Sequence, residues 1–215
     1  MTALPCWYRA AQNECSFTSL GGILKPADKR TEVMNVALGL MAEHGFHGVP
    51  MSTIAERSGV AVGTIYLYFR GKDELIVGLC QELERHIVAY LREGFPTGGS
   101  VRERFVYLVG RVIRYFIDHP VHFRYLEQFM NSPYGISMRR DRLLDRTGHD
   151  DIFLNLFEEA MAMGAVKDLP REVLFSVSIA PMIFLARDHV LGFIELDDVL
   201  IQKAAEACWD AVRRC

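Results

Sequence analysis

The stretch that decides the fold is Ile54-Ala55-Glu56-Arg57-Ser58-Gly59-Val60-Ala61-Val62-Gly63-Thr64-Ile65-Tyr66-Leu67-Tyr68-Phe69-Arg70-Gly71-Lys72-Asp73-Glu74-Leu75. It holds two short helical segments with a glycine-containing turn between them. Met51, Ile54 and Ala55 form the apolar face of the first, which Gly59 ends; the second covers about Ala61 to Phe69, and Gly71 ends it. Advancing about 100° per residue from Ile65 brings Phe69 to about 40°, so these two share a buried face. Gly63 and Leu67 fall at about 160° and 200°, directly away from it. Val62 and Tyr66 flank the outward face on one side, and Thr64 and Tyr68 on the other. A face of glycine, threonine and two tyrosines is not a solvated charged face. It suits close approach to a groove, with backbone reaching in at the glycine and hydroxyls meeting phosphate oxygens.

Upstream, Val33, Val36, Ala37, Leu40, Met41 and His44 follow helical spacing, and Gly45 stops the run. A short loop, Phe46 to Val49, leads to Pro50 at a first helical position. One long helix followed by two short ones predicts a three-helix domain containing helix-turn-helix, residues 28–72. Residues 1–27 show neither helical nor strand periodicity and read as a poorly ordered extension. Downstream, breaks at Phe95 to Gly99, His119-Pro120, Asn131 to Gly135, Thr147-Gly148 and Leu169-Pro170 leave helices at about 73–93, 101–118, 121–131, 150–164, 171–193 and 196–214. The predicted fold class is all-α, with the three-helix domain followed by a larger helical bundle over residues 73–215.

Composition narrows the functions. The 215 residues are 50% hydrophobic and 24% charged, with 24 Lys and Arg against 27 Asp and Glu, a net charge of −3. That excludes a globally basic nucleic-acid coat but leaves room for a local contact surface. A mean hydropathy of +0.10 points to a buried oligomer interface. The odd cysteine count, without CxxC, gives neither a disulfide framework nor a zinc cluster. Pro120 places His119 and His122 on either side of a helix boundary, so no metal is expected there. No HExxH, GxSxG, P-loop or paired His/carboxylate spacing is present, so the chain does not read as an enzyme; a helical enzyme stands as an alternative. The uncharged run Val173 to Ala186 contains Pro181 and falls short of the ~20 residues of a spanning helix, so it reads as a buried helix in a cytoplasmic protein.

Gly45-Phe46, Ile54 to Val60 and Gly63 to Leu75 together resemble the N-terminal DNA-binding domain of the tetracycline-repressor (TetR/AcrR) family of transcriptional regulators. The resemblance covers residues 29–75 with the spacing intact. It implies that Thr64, Tyr68 and Lys72 contact phosphates and that Val62, Gly63, Tyr66 and Leu67 lie at base edges or sugars. Ser52 and Thr53 open the second helix, where backbone N–H groups can hold a further phosphate. Ile54, Ala55, Val60, Ile65 and Phe69 match core positions. Two departures stand out: Val49 and Ala61 occupy positions where the family usually has a hydroxyl cap, and Val62 replaces a frequently polar residue.

For the larger domain the resemblance implies ligand binding and dimerisation. Phe116, Phe123, Glu127, Met130, Phe153 and Phe157 are the candidate ligand-binding residues; the bland alternative is that they pack the bundle and that Glu127 is solvated. Val177, Ala180, Phe184, Arg187 and Leu191 form one candidate dimer stripe, and Ile201, Ala204, Ala205, Cys208 and Val212 the other, giving a homodimer through the last two helices. The implied function is a ligand-responsive homodimeric regulator, a repressor released by a small-molecule effector from a near-palindromic double-stranded DNA operator, without cofactor, metal or membrane. A helix-turn-helix reused as a protein-interaction module is the alternative from another class.

Overall fold

In the computed structural model, residues 28–143 and 151–214 are described. The predicted extension 1–27, the Thr147-Gly148 break, Cys6, Cys15 and Cys215 lie outside them. Asp28 accepts a hydrogen bond from the Arg30 N–H at 3.2 Å and starts α1, Lys29–His44. Val33, Ala37, Leu40 and Met41 are buried as their spacing predicts, and so are Met34 and Leu38; His44 instead faces solvent. Helices α2, Met51–Arg57, and α3, Val62–Tyr68, follow. Pro50 stands one position earlier than expected, as the cap of α2, and neither α2 nor α3 has a side-chain cap. The turn between them depends on Gly59, whose φ of 64° is strained for residues with a Cβ.

Helix α4, Lys72–Arg92, is a rod of 21 residues, about 31 Å long. A reciprocal Ser100–Glu103 capping box opens α5, Val101–Asp118. Next come α6, Pro120–Met130; α7, Pro133–Leu143; α8, Ile152–Ala162; α9, Arg171–Ser178; α10, Ala180–Val190; and α11, Asp198–Val212. Among the described residues there is no strand beyond an isolated bridge between Val166 and Arg213.

Two corrections concern the elements. Helix α7 was not predicted, because Asn131 to Gly135 reads as a break. The predicted helix 171–193 is two helices: Pro181 has no N–H to continue the ladder, and the Ser178 hydroxyl donates to the Leu174 carbonyl at 2.6 Å. The other predicted helices of the larger domain match to within two residues at each end.

The core is continuous through α1 to α11. The N-terminal helices seat on the larger domain through α1, which packs on α6. Gln128 Nε2 donates to the Ala42 carbonyl at 3.0 Å, the Phe46 ring lies 5.4 Å from that of Tyr125, and the Tyr125 hydroxyl donates to the Ile76 carbonyl at 2.6 Å. The Tyr134 hydroxyl donates to Asp73 at 2.6 Å, tying α7 to the start of α4. The turn into α7 passes so close to α6 that a Cβ on Gly135 would lie 2.3 Å from the Phe129 carbonyl oxygen.

Helix α5 is central in the larger domain. Phe105 packs on Phe157 of α8, with centroids 6.0 Å apart, and on Trp209 of α11 at 5.4 Å. This overturns part of the predicted dimer surface: Ile201, Ala205, Cys208 and Val212 are buried in the protomer's own core, with Ala204 at its edge. A stripe of small residues lets α11 approach α5 closely, and that intramolecular fit consumes it.

Candidate nucleic-acid interface

Helix α3 is held from behind and bare in front. Ile65 and Phe69 are buried, and the Arg30 guanidinium stacks over the Phe69 ring 5.2 Å from its centroid. On the outward side Leu67 is 82% exposed and Tyr66 51%, with Val62 and Gly63 exposed beside them. An isolated leucine on a surface needs no explanation, but four adjoining uncharged residues on one short helix form a patch. A Cβ added to Gly63 would meet nothing within 4 Å, so the protein's own packing does not demand glycine there.

The flanking residues divide. Thr64 and Tyr68 are half-buried, and Tyr68 packs against the core edge, so of the two tyrosines only Tyr66 stands clear. Ser52 is exposed and Thr53 half-buried in the first turn of α2. Lys72 is half-buried as the first residue of α4, beyond the end of α3. The structure thus brings Ser52, Val62, Gly63, Tyr66 and Leu67 to the surface and leaves Thr53, Thr64, Tyr68 and Lys72 partly covered at its margin. Two exposed cations nearby, Arg57 and Arg70, are absent from the predicted set; charge next to the motif was their only signal. Residues 28–72 carry five Lys and Arg against four Asp and Glu, so shape and apolar contact matter here beside charge.

Comparison with known proteins bears on the same segment. Residues 33–79 match the family model described as bacterial regulatory proteins, tetR family, and residues 101–213 match the tetracyclin repressor-like C-terminal domain. The chain belongs to the tetR family. It is a DNA-binding transcriptional regulator. An HTH-type transcriptional regulator of Haemophilus influenzae is 24% identical over 187 residues, 87% of this chain and 97% of that one. The HTH-type transcriptional repressor KstR of Mycolicibacterium smegmatis is 34% identical over 95 residues, 44% of this chain and 46% of that one. Among solved structures, a tetR-family transcriptional regulator from Vibrio parahaemolyticus superposes with a TM-score of 0.71 at 29% identity, covering 87% of this chain and all of that one.

In this tetR-family regulator the six predicted ligand-binding residues are distributed over α5, α6 and α8. Phe116 and Phe123 stack edge to face at 5.2 Å and are buried in the α5–α6 seam. Phe157 is buried against Phe105, Phe153 packs on Phe175 with centroids 6.5 Å apart, and Met130 is exposed at the end of α6. Glu127 is not a solvated carboxylate: it accepts from the Arg187 guanidinium, which also lies over the Phe184 ring, 4.6 Å from its centroid. Phe116, Phe123 and Phe157 contribute to the packed core of the bundle.

The two histidines of the α5–α6 corner are together after all. Pro120 begins α6 with His119 as its cap, and the turn stacks the His119 ring on His122, centroids 4.9 Å apart and 13° from parallel. Tyr115 Oη sits 2.8 Å from His122 Nδ1. Burial pushes His122 down to about 4, with His119 and His86 adding repulsion, and burial likewise lowers His119. Burial raises the Tyr115 phenol, which therefore keeps its proton beside the neutral imidazole. Among the described residues no group of three or more His, Cys, Asp or Glu is arranged to hold a metal. Cys80 and Cys208 are buried and form no disulfide, and burial raises the Cys208 thiol.

The outer face of α9 and α10 is exposed and apolar. Val177, Phe184 and Leu191 stand open, and Phe193 follows in the loop. The expectation of a fully buried helix here is therefore corrected. By length and composition alone, Arg171–Val190 would suffice to cross a membrane.

Proposed function

We propose that this regulator is a homodimeric repressor that a small-molecule effector releases from a near-palindromic operator. The observation that carries the DNA-reading part is α3 itself: Leu67 and Tyr66 exposed beside an unencumbered Gly63, on a helix fixed by Ile65 and Phe69. In this reading Val62, Gly63, Tyr66 and Leu67 meet base edges and sugars, and Ser52, Thr53, Thr64, Tyr68 and Lys72 the flanking phosphates. Valine and leucine favour apolar contact with thymine methyl groups over bidentate hydrogen bonding. Two copies of α3 would enter successive major grooves about 34 Å apart. The repressor name of the Mycolicibacterium smegmatis relative supports the sign of regulation.

Val177, Phe184 and Leu191 recur on one face and support pairing through α9 and α10, with Ala180 between them. Pro181 interrupts the run and Arg187 and Asp188 lie within it, which suits an interface between subunits of a cytoplasmic protein better than a lipid-facing span. Phe184→Asp would place two carboxylates in that interface. Sedimentation should show wild-type dimers and variant monomers, and selection of DNA from a random pool by the wild-type protein should return sites with two-fold symmetry. A monomeric wild-type protein, or selected sites without symmetry, refutes the reading.

A further inference from the structure

Helix α6 joins the DNA-reading helices to α10 through two neighbouring side chains. Gln128 Nε2 donates at 3.0 Å to the carbonyl of Ala42, in the last turn of α1, where carbonyls lack a partner along the helix. Glu127 stands one position earlier, about 100° around α6, and accepts from Arg187 Nε of α10. Both members of this ion pair are half-buried. The Arg187 guanidinium also lies 4.6 Å from the centroid of the Phe184 ring, and Phe184 is 58% exposed on the outer face of α10. A guanidinium at the margin of an apolar face costs free energy unless it is paired. Its partner here belongs to the helix that seats α1, and α1 in turn packs on α2 and α3. Phe184, Arg187, Glu127, Gln128 and Ala42 therefore form one continuous run from the outer face of α10 to the DNA-reading helices.

We infer that Arg187 and Glu127 are a positioning pair for DNA reading. The pair fixes the pose of α6 against α10 and, through Gln128, the pose of α1 to α3, and so sets the separation of two copies of α3. A second copy seated on Phe184 excludes water from the ion pair and strengthens it, so pairing of subunits stiffens the frame that carries α3. The setting of the separation rests on the homodimer reading of the preceding section. The fixing of α6 and α1 within one protomer does not.

Hydrogen exchange of the full chain tests the fixing step without DNA. Arg187→Gln and Glu127→Gln should each speed exchange at Ala42 to Phe46 about threefold to tenfold and leave α11 unchanged. Fluorescence anisotropy tests the separation, on operators whose two selected half-sites stand at the selected distance or one base pair closer or farther. One base pair moves a half-site by about 3.4 Å and turns it by about 35°. The wild-type protein should prefer the selected distance by about tenfold and each single variant by about threefold or less; Arg187→Glu combined with Glu127→Arg should recover most of the preference. Unchanged exchange in both single variants, or exchange that rises equally in α11, overturns the positioning role. A preference that both variants retain, even where binding weakens on all three operators alike, overturns the setting of the separation. A wild-type protein that is monomeric or selects sites without symmetry refutes the homodimer reading instead, and exchange then decides the positioning role alone.

Discussion

Removing the Leu67 side chain separates recognition from stability more cleanly than any other change in α3. Leu67 is 82% exposed, whereas Ile65, two residues away, is fully buried. Leu67→Ala deletes three carbons that touch little within the protein, so its unfolding free energy should stay within about 0.5 kcal/mol of wild type. Each buried methylene is worth about 0.8 kcal/mol, so full coverage by DNA would make those carbons worth about 2.4 kcal/mol per subunit. A groove wall covers one side of a side chain, and half of that figure, about 1.2 kcal/mol, is the reasonable expectation. Two subunits then lose about 2.4 kcal/mol, a weakening of roughly fiftyfold. Fluorescence anisotropy on a labelled, selected site at fixed salt reads the affinity, and urea unfolding reads the stability. Ile65→Ala is the control, expected to cost about 2–5 kcal/mol of stability. A folded Leu67→Ala protein with wild-type affinity would refute the assignment of this face to DNA.

The other expectations are independent of that one. Lys72→Ala should flatten the dependence of log affinity on log salt by about 1.8 per dimer, one phosphate per subunit at ~0.9 each, measured across a salt series. His122 titrates near 4 when folded against 6.5 when unfolded, so the neutral form stabilises the fold above pH 6.5. That contribution, about 3 kcal/mol in full, is lost as pH falls from 6.5 towards 4. Urea midpoints at pH 7.5, 6 and 5 should show the decline, and His122→Gln should flatten it. Gly135→Ala forces a methyl onto the Phe129 carbonyl and should cost about 2 kcal/mol, lowering the thermal midpoint. Gly63→Ala meets open space and should leave that midpoint unchanged or slightly raised while weakening DNA binding.

What could be read from the sequence depended on whether one physical rule acted alone. In α3 the helical period decided both faces, because Ile65 and Phe69 have the core to themselves and the outward residues have no competing partner. Boundaries of α5 were legible because Phe95 to Gly99 and His119-Pro120 break the helical pattern on either side of it. Helix α7 was not, because Asn131 to Gly135 carries turn residues that end α6 and, two residues later, begin another helix. The ligand-binding candidates rest on a weaker signal: Phe116, Phe123 and Phe157 are equally suited to face a cavity or one another, and only three-dimensional neighbours choose. Glu127 and Arg187 lie sixty positions apart, so their pairing left no local trace. The α11 stripe reads as a surface between subunits, and it packs within the subunit instead, because spacing cannot tell which helix it meets.

The inward fit of α11 bears on how the regulator comes into being. Because Ile201, Ala205, Cys208 and Val212 are satisfied by α5 of the same polypeptide, each newly made copy completes its own interior before it meets another. Folding and pairing are then successive events. In the dimer proposed above, promoter silencing at low copy number rises with the square of the number of finished molecules, so modest changes in synthesis become steep changes in transcription.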